Sequence, residues 1–206
     1  MLDPGSPLRY AQDDVGRWPG MTWWIGDREE RSMLTAIVLK REDIREYDQR
    51  ITLYTRERGL VVGKISGVKK IVSKQSPRLE IGVLAKVQIV PGKQGERLIT
   101  SEPIEMFRAV RTSYKKSLCV QYILGLVAQT VKSNQADPAL FDFLKQVMIV
   151  YNNVPEKQCA EVLRRALWCY LEILGYRSDK QGDLKSWHRF AQYQFERKIS
   201  NPVLSF

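Results

Sequence analysis

Hydrophobic and polar positions follow two different periods along the 206-residue chain, and the change falls near residue 107. Before it, short apolar runs are separated by polar punctuation. "TAIVLK", "QRITLYT" and "LVVGKIS" are rich in β-branched residues, and Gly59 in the intervening "RERG" can adopt the positive φ of a tight hairpin. "VLAKVQIV" places Val83, Ala85, Val87 and Ile89 on one face and Lys86 and Gln88 on the other, the alternation of a half-buried strand. "PGKQGE" then punctuates before a fifth run, "RLITSEPI". Five strands in about seventy residues predict a small closed or nearly closed β-barrel. The connection "GVKKIVSKQSPRLEIG", polar and interrupted by Pro77, gives no helix.

After Met106 the period becomes helical. Val110, Tyr114, Leu118, Tyr122, Leu126 and Val127 fall on one stripe, with Arg111, Lys115 and Lys116 off it. A second helix opens with Asp137 as N-cap and Pro138 in its first turn, and a third opens at Pro155 and stops at Gly175. A short amphipathic stretch, about Trp187 to Phe195, lies in the tail. The fold class predicted is α+β: a five-stranded barrel over residues 33–107, then an α-helical bundle domain over 108–206 with a short C-terminal tail. Residues 1–32 mix Pro, Gly, acidic residues and Trp18, Trp23 and Trp24 without a period. They are expected to be an irregular, non-native extension, added from an upstream start before Met33.

Charge adds a direction. Lysine and arginine number 33 against 23 acidic residues, a net charge of +10, whereas residues 1–33 carry four basic and six acidic groups. Everything after that segment is basic, which favours a polyanionic partner. The apolar runs fall far short of the roughly 20 residues that span a bilayer. Cys119, Cys159 and Cys169 form no CxxC pair and are read as free buried thiols. These features predict a cytoplasmic protein.

Candidate catalytic chemistry is sparse. The single histidine, His188, excludes a site built on several imidazoles and is expected to be exposed or at a helix cap. There is neither GxxxxGK[ST] nor GxGxxG, so nucleotide hydrolysis and dinucleotide chemistry find no support. Glu42, Asp43, Glu46 and Asp48 cluster as a metal-dependent nuclease would need, but they alternate with Arg41, Arg45 and Arg50 and read as a mixed-charge loop. No enzyme, metal or cofactor is expected.

The basic residues are more informative. Arg41, Arg45, Arg50, Arg56, Arg58, Lys64, Lys69, Lys70, Lys74 and Arg78 all fall at strand ends or in connections, where they can reach the phosphates of a bound strand. Tyr47 and Tyr54, interleaved among them, are candidate stacking platforms for bases. Together they are expected to form a continuous cationic track that binds nucleic acid irrespective of base order. An RNA-binding barrel remains open on the same physics, as does a helical half that acts as a protein-binding adaptor.

"AIVLKREDIREYDQRITLYTRERGLVVGKISGVKK" resembles the opening of RecO, the bacterial DNA repair and recombination mediator family. The matching elements are Ala36 to Lys40, Glu46 with Asp48, Thr52 to Gly59, and Gly67 with Lys69 and Lys70; "DPALFDFL" and "LWCYLEILGYRSD" resemble the family's helical signatures. The likeness runs from about Met33 to Asp179. It implies an OB-fold barrel followed by a helical domain, and a non-enzymatic, nucleoid-associated role. That role comprises binding single- and double-stranded DNA, annealing complementary strands, and working with RecR and the C-terminal tail of single-strand binding protein to help load RecA. Two departures stand out. The family's four-cysteine zinc module is missing from "RSDKQGDLKSW", and Arg45 replaces a glycine before the acidic turn.

Overall fold

The computed structural model describes residues 33–44, 46, 48–66, 79–92, 95–132, 135–176 and 184–194. Five strands, β1 (Met33–Asp43), β2 (Gln49–Thr55), β3 (Gly59–Ile65), β4 (Leu84–Gly92) and β5 (Gly95–Glu105), close into a barrel in the order β1-β2-β3-β5-β4, with β4 returning to β1. All neighbours are antiparallel except β3 and β5. This is an OB-fold, as the five alternating runs and the family likeness led us to expect.

Alternation sorts the side chains. Ala36, Val38, Ile51, Leu53, Val61, Ile65, Ala85, Val87, Ile89 and Leu98 fill the barrel. At one side the outward positions are apolar too: Ile37, Leu39, Tyr54, Leu60 and Leu84 join the core of the helices. Each such side chain contributes roughly 1.5–3 kcal/mol when buried, so this outer face of the barrel and the helices share an apolar core distinct from the barrel interior. A bulge in β1 between Val38 and Lys40 is held by Val38 N–H donating to Val83 C=O at 3.1 Å and Gly82 N–H donating to Val38 C=O at 2.9 Å.

Gly59 closes the β2–β3 turn at φ 72°, and a Cβ there would lie 2.1 Å from the carbonyl oxygen of Gln135. The approach of the linker before α3 therefore requires glycine as much as the turn does.

The helices are α1 (Arg108–Thr112), α2 (Tyr114–Thr130), α3 (Pro138–Asn153), α4 (Cys159–Ile173, entered through a 3₁₀ turn at Glu156–Gln158) and α5 (Leu184–Gln194). Asp137 caps α3 as its sequence suggested, with Oδ1 accepting from Ala139 N–H at 2.9 Å and Leu140 N–H at 3.3 Å. Gly175, at φ 83°, ends α4: its N–H donates to Glu172 C=O while Tyr176 N–H donates to Leu171 C=O.

Two expectations are corrected. The first helical stripe is not one helix: Ser113 is extended and its hydroxyl caps Lys116 N–H at 3.2 Å, so the chain turns between α1 and α2. Tyr114, the first residue of α2, is 74% exposed, whereas Val110, Tyr122, Leu126 and Val127 of the stripe are buried as expected, joined by Cys119, Val120, Ile123 and Leu124. His188 is not exposed either. It is buried, and its Nδ1 lies 2.6 Å from the hydroxyl of Tyr122 in α2. Tyr176 and Phe190 meet edge to face nearby, giving α5 a second attachment.

Candidate functional site

The sequence-predicted cations are divided among three places. Arg50 and Lys64 form the first group. Cross-strand register sets Arg50 on β2 opposite Lys64 on β3, and Lys64 opposite Arg97 on β5. Because directly paired residues share a face of the sheet, the three cations make a short outward row across three adjacent strands. Arg50 and Arg97 are exposed and have no carboxylate partner among the described residues. Lys64 Nζ lies 2.9 Å from Asp48 Oδ2, a partly exposed pair worth at most about 1 kcal/mol, which a phosphate can replace.

Beside the row is an open groove of about 940 Å³, lined by Lys64, Ser66, Gly92, Gly95, Arg97 and Ile99. Ile99 is 47% exposed and Val62, two residues before Lys64, is 44% exposed. The groove lining thus combines apolar Ile99 and Leu98 with Lys64 and Arg97, beside the carboxylate of Glu96.

Arg97 escaped the sequence reading. It belongs to the fifth strand, over thirty residues from Lys64 in sequence, and only the parallel β3–β5 pairing brings the two together. The usable signal was its place in the polar phase of "GERLITS".

The second group sits at the β2–β3 turn. Arg56 is exposed and its guanidinium carbon lies 6.0 Å from the Phe141 ring centroid, leaning on α3. Arg58 is ion-paired to Glu96. Neither extends the row, so a single unbroken track through all five described candidates is corrected to a row with two outlying groups.

Arg41 is the third. Its Nε and Nη2 donate to Gln49 Oε1 at 3.1 and 2.5 Å, and Gln49 Nε2 donates to Asp43 Oδ1 at 2.8 Å. Burial pushes the Arg41 guanidinium below its ordinary value, offset in part by the charges of Glu80 and Asp43.

Tyr54 is also corrected. It occupies the outer phase of β2, but that end of the barrel is covered by helices and the ring is fully buried, so no base can stack on it. Arg45, Tyr47, Lys69, Lys70, Lys74 and Arg78 lie outside the described residues.

The carboxylates proposed for a nuclease serve other partners: Glu42 Oε1 lies 2.7 Å from Lys40 Nζ, Asp48 pairs with Lys64, and Asp43 accepts from Gln49. Among the described residues no group of three or more His, Cys, Asp or Glu side chains is arranged to hold a metal ion. None of the described helices is long and apolar enough to cross a membrane.

Comparison with known proteins bears on this barrel directly. Residues 31–107 match the family model "Recombination protein O N terminal". The barrel thus matches the N-terminal domain of the RecO family. The chain is 27% identical over 145 residues to "DNA repair protein RecO" of Dehalococcoides mccartyi, covering 70% of this chain and 56% of that one. It is 29% identical over 141 residues to the protein of that name from a Cyanothece species, covering 68% and 48%. With the Synechococcus elongatus protein the identity is 27% over 157 residues, covering 76% and 54%. The chain thus spans about half the length of the curated relatives it matches, and the barrel that matches the family model is the part that carries the cationic row.

Proposed function

We propose that this chain binds single-stranded DNA along the outer row of its barrel and acts as a recombination mediator in DNA repair. The observation that carries the reading is the alignment of Arg50, Lys64 and Arg97 in paired positions on β2, β3 and β5. Strand neighbours lie about 4.8 Å apart, so three successive cations cover a length over which a strand offers consecutive phosphates. No described aromatic ring is on this face, which makes phosphate neutralisation, rather than stacking, the main source of affinity. Binding then tolerates any base order and falls steeply with salt, by roughly 0.7 in log–log slope for each phosphate neutralised. Lys69 and Lys70, which follow β3 in sequence, are proposed to extend the contact.

On this reading the chain anneals complementary strands and, with RecR and the C-terminal tail of single-strand binding protein, assists loading of RecA. What supports that finer role is the match of the barrel to the RecO N-terminal model and the likeness to relatives named for DNA repair. A strand-annealing assay tests it, with bare single strands and with strands coated by single-strand binding protein. Acceleration in both settings is the expected result. No acceleration on either substrate contradicts the mediator role, and preference for RNA in a competition contradicts DNA as the ligand.

A further inference from the structure

Where the barrel meets α1 and α2 lies a cleft of about 670 Å³ lined by Arg41, Glu80, Arg108, Arg111, Ser117 and Gln121. It lies apart from the groove beside the Arg50–Lys64–Arg97 row, and the two share no lining residue. Three guanidiniums face one carboxylate, so the cleft carries an excess of positive charge. Two of the three are held in place. Arg41 is clamped through Gln49 to Asp43, and Arg111 is ion-paired to Glu80. Arg108 is exposed at the start of α1. Guanidiniums fixed in this way are preorganised for the tetrahedral, multi-acceptor geometry of a phosphate.

A ring stands beside them. Ser117 and Gln121 line the cleft from α2, and Tyr114 precedes them by three and seven residues, on the same helical face. At 74% exposure, Tyr114 is a large apolar ring left in water next to a cationic cleft. It is the first residue of α2, immediately after the Ser113 cap.

We propose that this cleft and Tyr114 form a second nucleic-acid contact, the arginines taking a phosphate and the ring stacking the adjoining base of a single strand that continues beyond the barrel. The inference rests on the single-strand reading above, and it adds a site with one feature that the barrel row lacks, an accessible aromatic face. Stacking of one base on such a ring contributes on the order of 1–3 kcal/mol.

The test compares fluorescence anisotropy of labelled oligo-dT of about 8 nucleotides, within the roughly 4–16 that an OB barrel occupies, with one of about 25. Four forms of the full chain are used: unmodified, R108Q/R111Q, Tyr114→Ala and Glu80→Gln. The unmodified protein should bind the long strand more tightly than length alone explains. R108Q/R111Q should weaken the long strand about tenfold, reduce its salt slope by about 0.7, one phosphate's share, and leave the short one unchanged. Tyr114→Ala should weaken the long strand with no change in salt slope. Glu80→Gln, which removes the competing carboxylate, should strengthen long-strand binding, a gain that misfolding cannot imitate.

If short and long strands both bind and none of the variants separates them, the cleft is not a site while the barrel reading stands. If neither strand binds the unmodified protein, both readings fall. Loss in R108Q/R111Q with Tyr114→Ala unchanged overturns the stacking half. Inorganic triphosphate that raises the Tm of the unmodified protein but not of R108Q/R111Q, without any strand-length effect, assigns the cleft to a small phosphate and overturns the strand assignment.

Discussion

Tyr54 and Asp137 exchange two hydrogen bonds across the junction of barrel and helices: Asp137 N–H donates to the Tyr54 hydroxyl oxygen at 3.1 Å, and the hydroxyl donates to the Asp137 carbonyl at 3.3 Å. The ring that the sequence offered as a base platform instead anchors the N-cap of α3. Tyr54→Phe leaves the Asp137 N–H without its acceptor, while the carbonyl keeps the Phe141 N–H at 3.0 Å, and should cost about 1–2 kcal/mol. Urea unfolding checks the loss. DNA affinity of the folded variant should be unchanged; a large drop in affinity without a loss of stability would restore the stacking role.

Gly59→Ala is expected to be more damaging. The substitution imposes a Cβ on a positive φ and drives it into the Gln135 carbonyl at 2.1 Å. The dihedral alone is worth about 1 kcal/mol, and separating the backbones adds to it, so a loss above about 2 kcal/mol is expected by the same unfolding measurement. A variant as stable as the parent would show that the linker does not press on the turn.

His188 makes stability depend on pH. Burial depresses its pKa below the ordinary imidazole value, and its Nδ1 shares a hydrogen bond with the Tyr122 hydroxyl, 2.6 Å away. The folded state therefore binds a proton less readily than the unfolded chain. Stability is fully present above the unfolded pKa near 6.5 and declines as pH falls from there toward the lower folded value. Tm measured between about pH 7.5 and pH 5 should fall on acidification. In His188→Gln that imidazole contribution should vanish, leaving only the shallower carboxylate slope; parallel profiles in the two proteins would contradict it.

The strands were legible because barrel interiors demand period 2, which "VLAKVQIV" meets with Val83, Ala85, Val87 and Ile89 inward and Lys86 and Gln88 between them. What the pattern could not carry was the identity of outside neighbours. Tyr54 lies on the outer phase of β2, yet only the docking of helices from residue 108 onward decides that this part of the outside is dry. Arg97 and Lys64 are neighbours through a parallel pairing, which no local pattern encodes. Tyr122 and His188 meet across 66 residues of sequence. The stop between α1 and α2 was readable in principle, because Ser113 is a good N-cap, but the apolar stripe running through Tyr114 outweighed it.

The cationic row itself is tested most directly by removing it. R50Q/K64Q/R97Q should keep the Tm of the parent, since two of the three arginine and lysine side chains lack a described carboxylate partner and the Lys64–Asp48 pair is partly exposed. Anisotropy titrations with an oligonucleotide of about 8 bases, run at two salt concentrations, should show binding at least about tenfold weaker and a salt slope lower by about 2, three contacts at roughly 0.7 each. Affinity and slope equal to those of the parent would contradict the assignment of the barrel row as the DNA-binding surface.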